Sequence, residues 1–307
     1  MYFPYFRGRQ YELLALRELA QGRLHGTRVV PVVEPVKVTS TFDGTIKVFA
    51  EKNQSIALIL NPAVGDLSCG KAINAVLPFV SGSVIPSVIV SKDAVRAITA
   101  LTKKGMLESE VLAIITTRDY LEDYRELFNK TPPKFTLFPD ERLIRRTVSA
   151  NKVMFEDRFK KQDKNADYLR QEDEFYSDDH LYFNEENFAG FGDYSIIGNE
   201  YSESGFAPYA VAIHIIYFAD NNTLRVKHFV SDSNMDIKDV AGKYYEAVIK
   251  LKQWYDAGQS KQLTTALSIF LTHAENGYYP GLPTIKKLSI MHHLELVGKY
   301  LDRGLDK

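Results

Sequence analysis

Residues 84–115 read VIPSVIVSKDAVRAITALTKKGMLESEVLAII, and this stretch contains the repeat that decides the fold. Residues 84–90 are a nearly continuous apolar run, which is how a strand buried on both faces of a parallel sheet reads. Ser91, with Asp93 in the first turn, opens a helix over residues 92–104, and Gly105 stops it. A second apolar run follows at residues 111–115. Strand, helix and strand within this length make a βαβ unit.

The same kind of run recurs outward in both directions, at residues 29–33, 56–60, 135–138, 152–155 and 194–197. Helix-like stretches lie between the runs, residues 119–129 among them, and a first helix near residues 9–21 precedes the first run. Six or seven βα units in succession favour a closed (β/α) barrel of the TIM-barrel type over a doubly wound sheet. No Gly-x-Gly-x-x-Gly follows the first strand, which weakens a dinucleotide-binding alternative. The pattern then changes. Only residues 198–208 separate the run at 194–197 from the long run at 209–219, too few for a parallel crossover. Asp220, Asn221 and Asn222 link that long run to residues 224–230, which reads as a β-hairpin. Amphipathic helices follow near residues 237–257, 261–275 and 283–303. The expected fold is therefore α/β: one TIM-barrel-like domain over residues 1–307, with irregular last strands, a β-hairpin and a C-terminal helical layer over residues 236–307.

Length and composition agree with this. At roughly 150 residues per domain, 307 residues give about two domains, but a barrel of this size counts as one. Apolar residues make up 45% and charged residues 25%, which excludes disorder as the dominant state. Lys plus Arg is 38 against 39 for Asp plus Glu, so there is no global basic field and charge does not indicate a nucleic-acid partner. The single cysteine, Cys69, rules out an intrachain disulfide and any multi-cysteine metal site, and reads as structural. The opening MYFPYFRGRQYE lacks a signal-peptide pattern and no apolar run is long enough to span a bilayer, so a cytoplasmic protein without membrane association is expected.

Residues 156–187 stand apart, with 11 acids against 5 bases, so that this segment carries −6 and the rest of the chain +5. Three roles are open for this acidic insertion: a solvated helix, a lid or partner-docking element presenting Tyr168, Phe175, Tyr176, Tyr182 and Phe183, or a metal-binding cluster. No calcium-loop spacing supports the last.

Active sites of such barrels sit at the C-terminal ends of the strands, so the polar residue ending each run is a candidate. These are Glu34, Asn61, Ser91 with Lys92, Thr116 with Thr117 and Arg118, Asp140, Glu156 with Asp157 and Arg158, and Asn199 with Glu200. Glu34, Asp140 and Glu156 are the candidate catalytic carboxylates, suited to general acid/base work or to metal ligation on a polar substrate. Asn61, Lys92, Arg118 and Arg158 are candidate substrate-binding groups. Each also has a purely structural role open to it: Asn61 before Pro62 can start a turn, and Ser91 and Asp140 can cap helices. His214, a further candidate substrate-binding group, lies inside an apolar run and is either a sheet histidine or a base. His292 and His293 are expected at the surface, and Asp193, placed before a strand at 194–197, is expected at the opposite end of the barrel. No serine-hydrolase, zincin, Walker or kinase motif occurs.

The opening Tyr2-Phe3-Pro4-Tyr5-Phe6-Arg7-Gly8-Arg9-Gln10, followed by Glu12-Leu13 and Ala15-Leu16, resembles the start of the phage-type beta-protein family and its bacterial relatives, as does Pro31 to Glu34. Gly192-Asp193-Tyr194, Gly198, Gly205, Pro208-Tyr209, His214 and Tyr217 are similar to that family's second recurrent block. The resemblance implies a role in phage–host conflict, exercised on a protein partner encoded nearby. It also draws attention to Arg9 and Glu12, three residues apart on one helix face, either as a surface pair or as substrate-binding members of the rim. Two functions are expected on these grounds: a partner-binding barrel scaffold in a conflict or defence system, or a metal-assisted hydrolase or phosphoryl-processing enzyme using Glu34, Asp140 and Glu156. No cofactor is indicated by any motif.

Overall fold

In the computed structural model, which describes residues 1–68, 70–202, 208–258 and 262–303, eight parallel strands close into a barrel. They are β1 (Tyr2–Phe6), β2 (Val32–Val33), β3 (Ile56–Ile59), β4 (Val84–Ile89), β5 (Leu112–Ile114), β6 (Phe135–Phe138), β7 (Lys152–Phe155) and, after an intervening strand β8 (Asp173–Ser177), β9 (Gly190–Asp193), which pairs with both β7 and β1. Helices α1 (Gln10–Gly22), α2 (Ser40–Glu51), α3 (Ala72–Val76), α4 (Ala94–Lys103), α5 (Leu121–Leu127) and α6 (Arg142–Thr147) follow β1 to β6 in turn, and α7 (Asp179–Tyr182) precedes β9. This is the TIM-barrel-like α/β architecture. Cys69, Gly205 and Lys261 lie outside the described residues. Among those described, no helix is long and apolar enough to cross a membrane.

The apolar runs are continuous because both faces of each strand are covered. Phe3, Tyr5, Val32, Ala57, Ile59, Ile85, Ile89, Leu112, Ile114, Leu137, Val153 and Phe155 form one buried cluster, and their spacing of two along each strand marks them as the inward face. The alternate residues, such as Tyr2, Leu58, Val88, Ala113 and Phe138, are equally buried on the outside.

Two strands differ from the sequence expectation. The barrel begins at Tyr2 rather than at residue 29, and it closes at Gly190–Asp193, not at residues 194–197, where a 3-10 turn (Ser195–Ile197) stands instead. β1 tolerates Pro4, which has no N–H, because its ladder with the β2 segment is interrupted there, between the Tyr2–Val29 bridge and the Tyr5–Val32 pair. β9 needs its glycines. A Cβ on Gly192 would stand 2.5 Å from the Phe3 carbonyl oxygen and 3.1 Å from the Phe155 ring. Asp193 accordingly ends its strand, and on the outer face it accepts a hydrogen bond from the Tyr2 hydroxyl at 2.8 Å.

The chain divides into two compact units, Met1–Asp157 with Asp179–Tyr194, and Arg158–Asp178 with Ser195–Lys307. Residues 156–187, read as one acidic insertion, are shared between them. The first unit holds the whole barrel. The second holds a three-stranded antiparallel sheet in the order β10 (Ala212–Phe218), β11 (Leu224–Val230), β8, together with α8 (Val240–Asp256), α9 (Thr265–Asn276) and α10 (Leu282–Arg303). The hairpin lies where the sequence placed it. His292 and His293 are buried rather than exposed, because every residue of α10 from Leu288 to Gly298 is covered and no side of the helix faces solvent at that turn. Each has a partner: His292 joins Thr264 Oγ1 and the Ile216 carbonyl oxygen, both at 2.7 Å, and His293 joins Ser195 Oγ at 2.9 Å.

Candidate functional site

The strand ends of the barrel deliver one polar residue each to its C-terminal mouth: Arg7 after β1, Glu34 after β2, Asn61 after β3, Ser91 after β4, Thr116 after β5, Asp140 after β6, Glu156 after β7 and Tyr194 after β9. Gly8 turns the chain immediately after Arg7 in the left-handed region, at φ +65°. A Cβ there would stand 3.2 Å from the Glu34 carbonyl oxygen, so a side chain would push β1 away from β2.

Glu34 is fully buried and its carboxylate is met by three donors. The Tyr5 hydroxyl donates to Oε2 at 2.7 Å, the Ala63 N–H donates to Oε1 at 2.6 Å, and the Arg7 guanidinium pairs with Oε2. Arg7 in turn lies over the Tyr5 and Tyr194 rings, at 5.1 and 5.7 Å from their centroids, and both rings pack against Phe155. Burial drives the Tyr5 phenol far above its ordinary pKa and lifts that of Tyr194 to about 12, against the opposing charge of Arg7. Both phenols are therefore neutral hydrogen-bond donors near pH 7. Asn61 is a brace between strands: its Nδ2 donates to the Ile89 carbonyl at 2.7 Å and its Oδ1 accepts from the Ile89 N–H at 2.9 Å, joining the ends of β3 and β4.

Beside this cluster opens a cavity of about 440 Å³, lined among others by Arg7, Ser91, Asp93, Arg96, Thr116 and Tyr194. Ser91, Asp93 and Arg96 come from the start of α4 and the turn before it, so βα4 supplies much of the polar lining. The Arg96 guanidinium is exposed and makes no ion pair among the described residues. Volume and lining match a site for a small polar molecule, and the two guanidiniums supply fork-shaped donors for a carboxylate or phosphate.

The structure brings only part of the expected set to this cavity. Asn61 and Ser91 line it, as does Thr116. Glu34 stands directly behind Arg7, holding it. Asp140 and Glu156 belong to another cluster: the Asp140 N–H donates to Glu156 Oε1 at 3.2 Å, Asp140 pairs with Arg145 at 3.4 Å, and Arg145 continues to Glu186 at 2.7 Å. Lys92 and Arg118 are exposed and outside the lining. Glu12 is buried and accepts the Arg9 backbone N–H at 3.2 Å, a bond that starts α1. Arg158 and His214 are residues of the second unit. Among the described residues no three His, Cys, Asp or Glu side chains are placed to hold a metal ion.

Tyr5, Arg7, Asp93, Arg96 and Tyr194 are the site residues that strand-end reading passed over. A strand at Tyr2–Phe6 would have pointed to Arg7 at once. No family model matches the chain, nor does any curated protein or solved structure.

Proposed function

We propose that this protein is a recognition barrel whose mouth binds a small anionic molecule bearing hydroxyl groups, of the size of a sugar phosphate or nucleoside monophosphate. The carrying observation is the pairing of Arg7 and Arg96 on one cavity, with Ser91, Thr116 and Tyr194 beside them as hydrogen-bonding groups and Asp93 as an acceptor for ligand hydroxyls. A recognition role is favoured over carboxylate catalysis because Glu34 is spent on three internal donors, because Glu156 accepts the Asp140 backbone N–H, and because the Asp140 carboxylate pairs with Arg145. The setting we attach to it is the one the N-terminal resemblance implies, a component of a phage–host conflict system that engages a protein partner encoded nearby.

Thermal denaturation against a panel of sugar phosphates, nucleoside monophosphates and dicarboxylates tests the site. A true ligand at about 100 times its dissociation constant adds roughly 2.7 kcal/mol to the state that binds it. Arg96→Ala, an exposed substitution, should leave the ligand-free midpoint unchanged and remove that gain. A panel with no stabilising member, or an R96A protein that responds like wild type, overturns the proposal. The partner is tested by co-purification with tagged neighbouring gene products, and capture of none of them rejects that part.

A further inference from the structure

The second unit has a cavity of its own, about 320 Å³, whose lining includes Phe159, Asn165, Tyr168, His214, Lys286 and Ser289. Its sheet sets up the chemistry. β10 and β11 place His214 directly opposite His228, and β8 places Glu174 opposite Val226. The two-residue period of the pleat therefore puts Glu174, His228 and His214 on one face. They are joined in a row: Glu174 Oε1 to His228 Nε2 at 3.3 Å, then His228 Nδ1 to His214 Nδ1 at 2.7 Å. Lys160 pairs with the other oxygen of Glu174 at 3.2 Å.

The row fixes where the protons are. A carboxylate only accepts, so the His228 Nε2–H donates to Glu174. Burial holds both imidazoles below their ordinary pKa, with His228 and Lys286 adding to the effect at His214, so both rings are neutral near pH 7. A neutral His228 that donates from Nε2 has an accepting Nδ1, and His214 must donate to it from its own Nδ1. That leaves the lone pair of His214 on Nε2, a nitrogen with no hydrogen-bond partner among the described residues. Phe159 and Tyr168 meet the ring edge-on at 5.1 and 4.7 Å and hold its plane. The other six of the seven histidines are buried, whereas His214 is only partly so and keeps an edge open to solvent.

We propose that the second unit is a binding site for a small oxyanion that carries an acidic hydrogen, an acid phosphate or phosphomonoester, in which His214 Nε2 accepts that hydrogen and Lys286 faces the charge. Should the proton transfer fully, the ligand O–H breaks as an N–H forms at Nε2. The His214 Nδ1–H then passes its proton to His228 Nδ1, and the resulting imidazolium lies against the Glu174 carboxylate. The row is thus a path that carries positive charge away from the ligand to a buried partner.

Acylation by diethyl pyrocarbonate, read by peptide mass mapping at pH 7, tests the site, because the reagent attacks an accessible imidazole lone pair. His214 should be the histidine that labels. Inorganic phosphate should slow its labelling at least fivefold, while sulfate, which has no acidic hydrogen at this pH, should slow it less than twofold. Lys286→Gln should label at the wild-type rate without phosphate and lose the protection, and Lys286→Arg should keep it. Failure of His214 to label, equal protection by sulfate and phosphate, or full protection in K286Q would each overturn the proposal.

Discussion

Removing the Glu34 carboxylate tests the account of the barrel mouth most directly. Glu34→Ala leaves the Tyr5 hydroxyl, the Ala63 N–H and the Arg7 guanidinium facing a void where none of them meets bulk water freely, since Glu34 is wholly buried and the Arg7 side chain is 15% exposed. Removing one member of a buried ion pair costs about 3–5 kcal/mol, most of it the stranded charge. The two neutral donors overlap with that penalty rather than adding to it in full, so about 4 kcal/mol is expected. At roughly 2–4 °C per kcal/mol for a unit of this size, the midpoint should fall by about 8–16 °C. Hydrogen exchange of peptides spanning β1 to β3 reports the barrel specifically, whereas the single tryptophan, Trp254 on α8, reports the second unit. Arg7→Met should rescue part of the loss: a double-mutant cycle should show coupling of about 2 kcal/mol, because E34A in that background strands no charge. A loss below about 1 kcal/mol in E34A, or strict additivity with R7M, would refute the buried pair as the element that orders the mouth.

The remaining expectations are shorter. Burial lowers the pKa of His292 to about 4 and of His293 to about 3, while the unfolded chain takes up protons near 6.5. Stability is therefore full above pH 6.5 and falls from there toward pH 4, by on the order of 2 kcal/mol per histidine at pH 5. Urea midpoints at pH 7 and 5 should show a smaller acid loss in His293→Asn than in wild type; an equal loss would mean that His293 is charged in the folded state. Asn61→Ala removes both bonds to the Ile89 backbone and should cost about 2 kcal/mol by urea denaturation, through an unmet N–H and a C=O left with only the long Ser91 hydroxyl contact at the end of β4. A loss within 0.5 kcal/mol, the range of ordinary surface changes, would deny it that role. Gly192→Ala forces a Cβ against the Phe3 carbonyl, which cannot yield as a side chain can, and should open the β9–β1 seam, read as fast exchange of β1 amides. Wild-type protection there would show that the seam has slack.

The strands legible in the sequence were those built from β-branched and aliphatic residues. The runs at 56–60, 84–90, 111–115, 135–138 and 152–155 each contain the strand found there, because burial on both faces demands an uninterrupted apolar run. β1 and β9 hid for the opposite reason. Tyr2–Phe6 has the aromatic residues of a strand but is interrupted by a proline, and Gly190–Asp193 has two glycines and an acid, so neither reads as an uninterrupted apolar run. Their ladders exist through packing: the glycines of β9 make room for the Phe3 and Phe155 rings that fill the barrel on that side. The site suffered from the same blindness. Glu34, Asn61, Ser91 and Thr116 follow runs that read as strands, while Arg7 and Tyr194 follow the two strands whose composition hides them. Arg96 projects from a helix, where no strand-end rule reaches it.

The acidic stretch shows why a charge count alone misplaces function. Glu172, Asp173 and Glu174 at β8 face the basic run Arg225, Lys227 and His228 on β11: Glu172 pairs with Lys227 at 3.7 Å, Asp173 with Arg225 at 2.7 Å, and Glu174 with His228 at 3.3 Å. Opposite charges in the first two pairs, and a hydrogen bond from the neutral His228 in the third, favour this pairing and register, although about fifty residues of chain lie between the two strands. Adjacent carboxylates then do different work because the pleat sends them to opposite faces. Asp173 accepts from Arg225 and from the Tyr217 hydroxyl, and burial together with this carboxylate raises that phenol to about 12, on the side where Tyr217 packs edge-on against Trp254. Glu174, one residue on, faces the other side and sets the tautomer of His228, and through it the lone pair of His214. The excess of seven carboxylates over residues 171–187, with no Lys or Arg among them, thus includes one group that consolidates the sheet and a neighbour that directs a proton, a distinction that appears only once the strand and its partner are known.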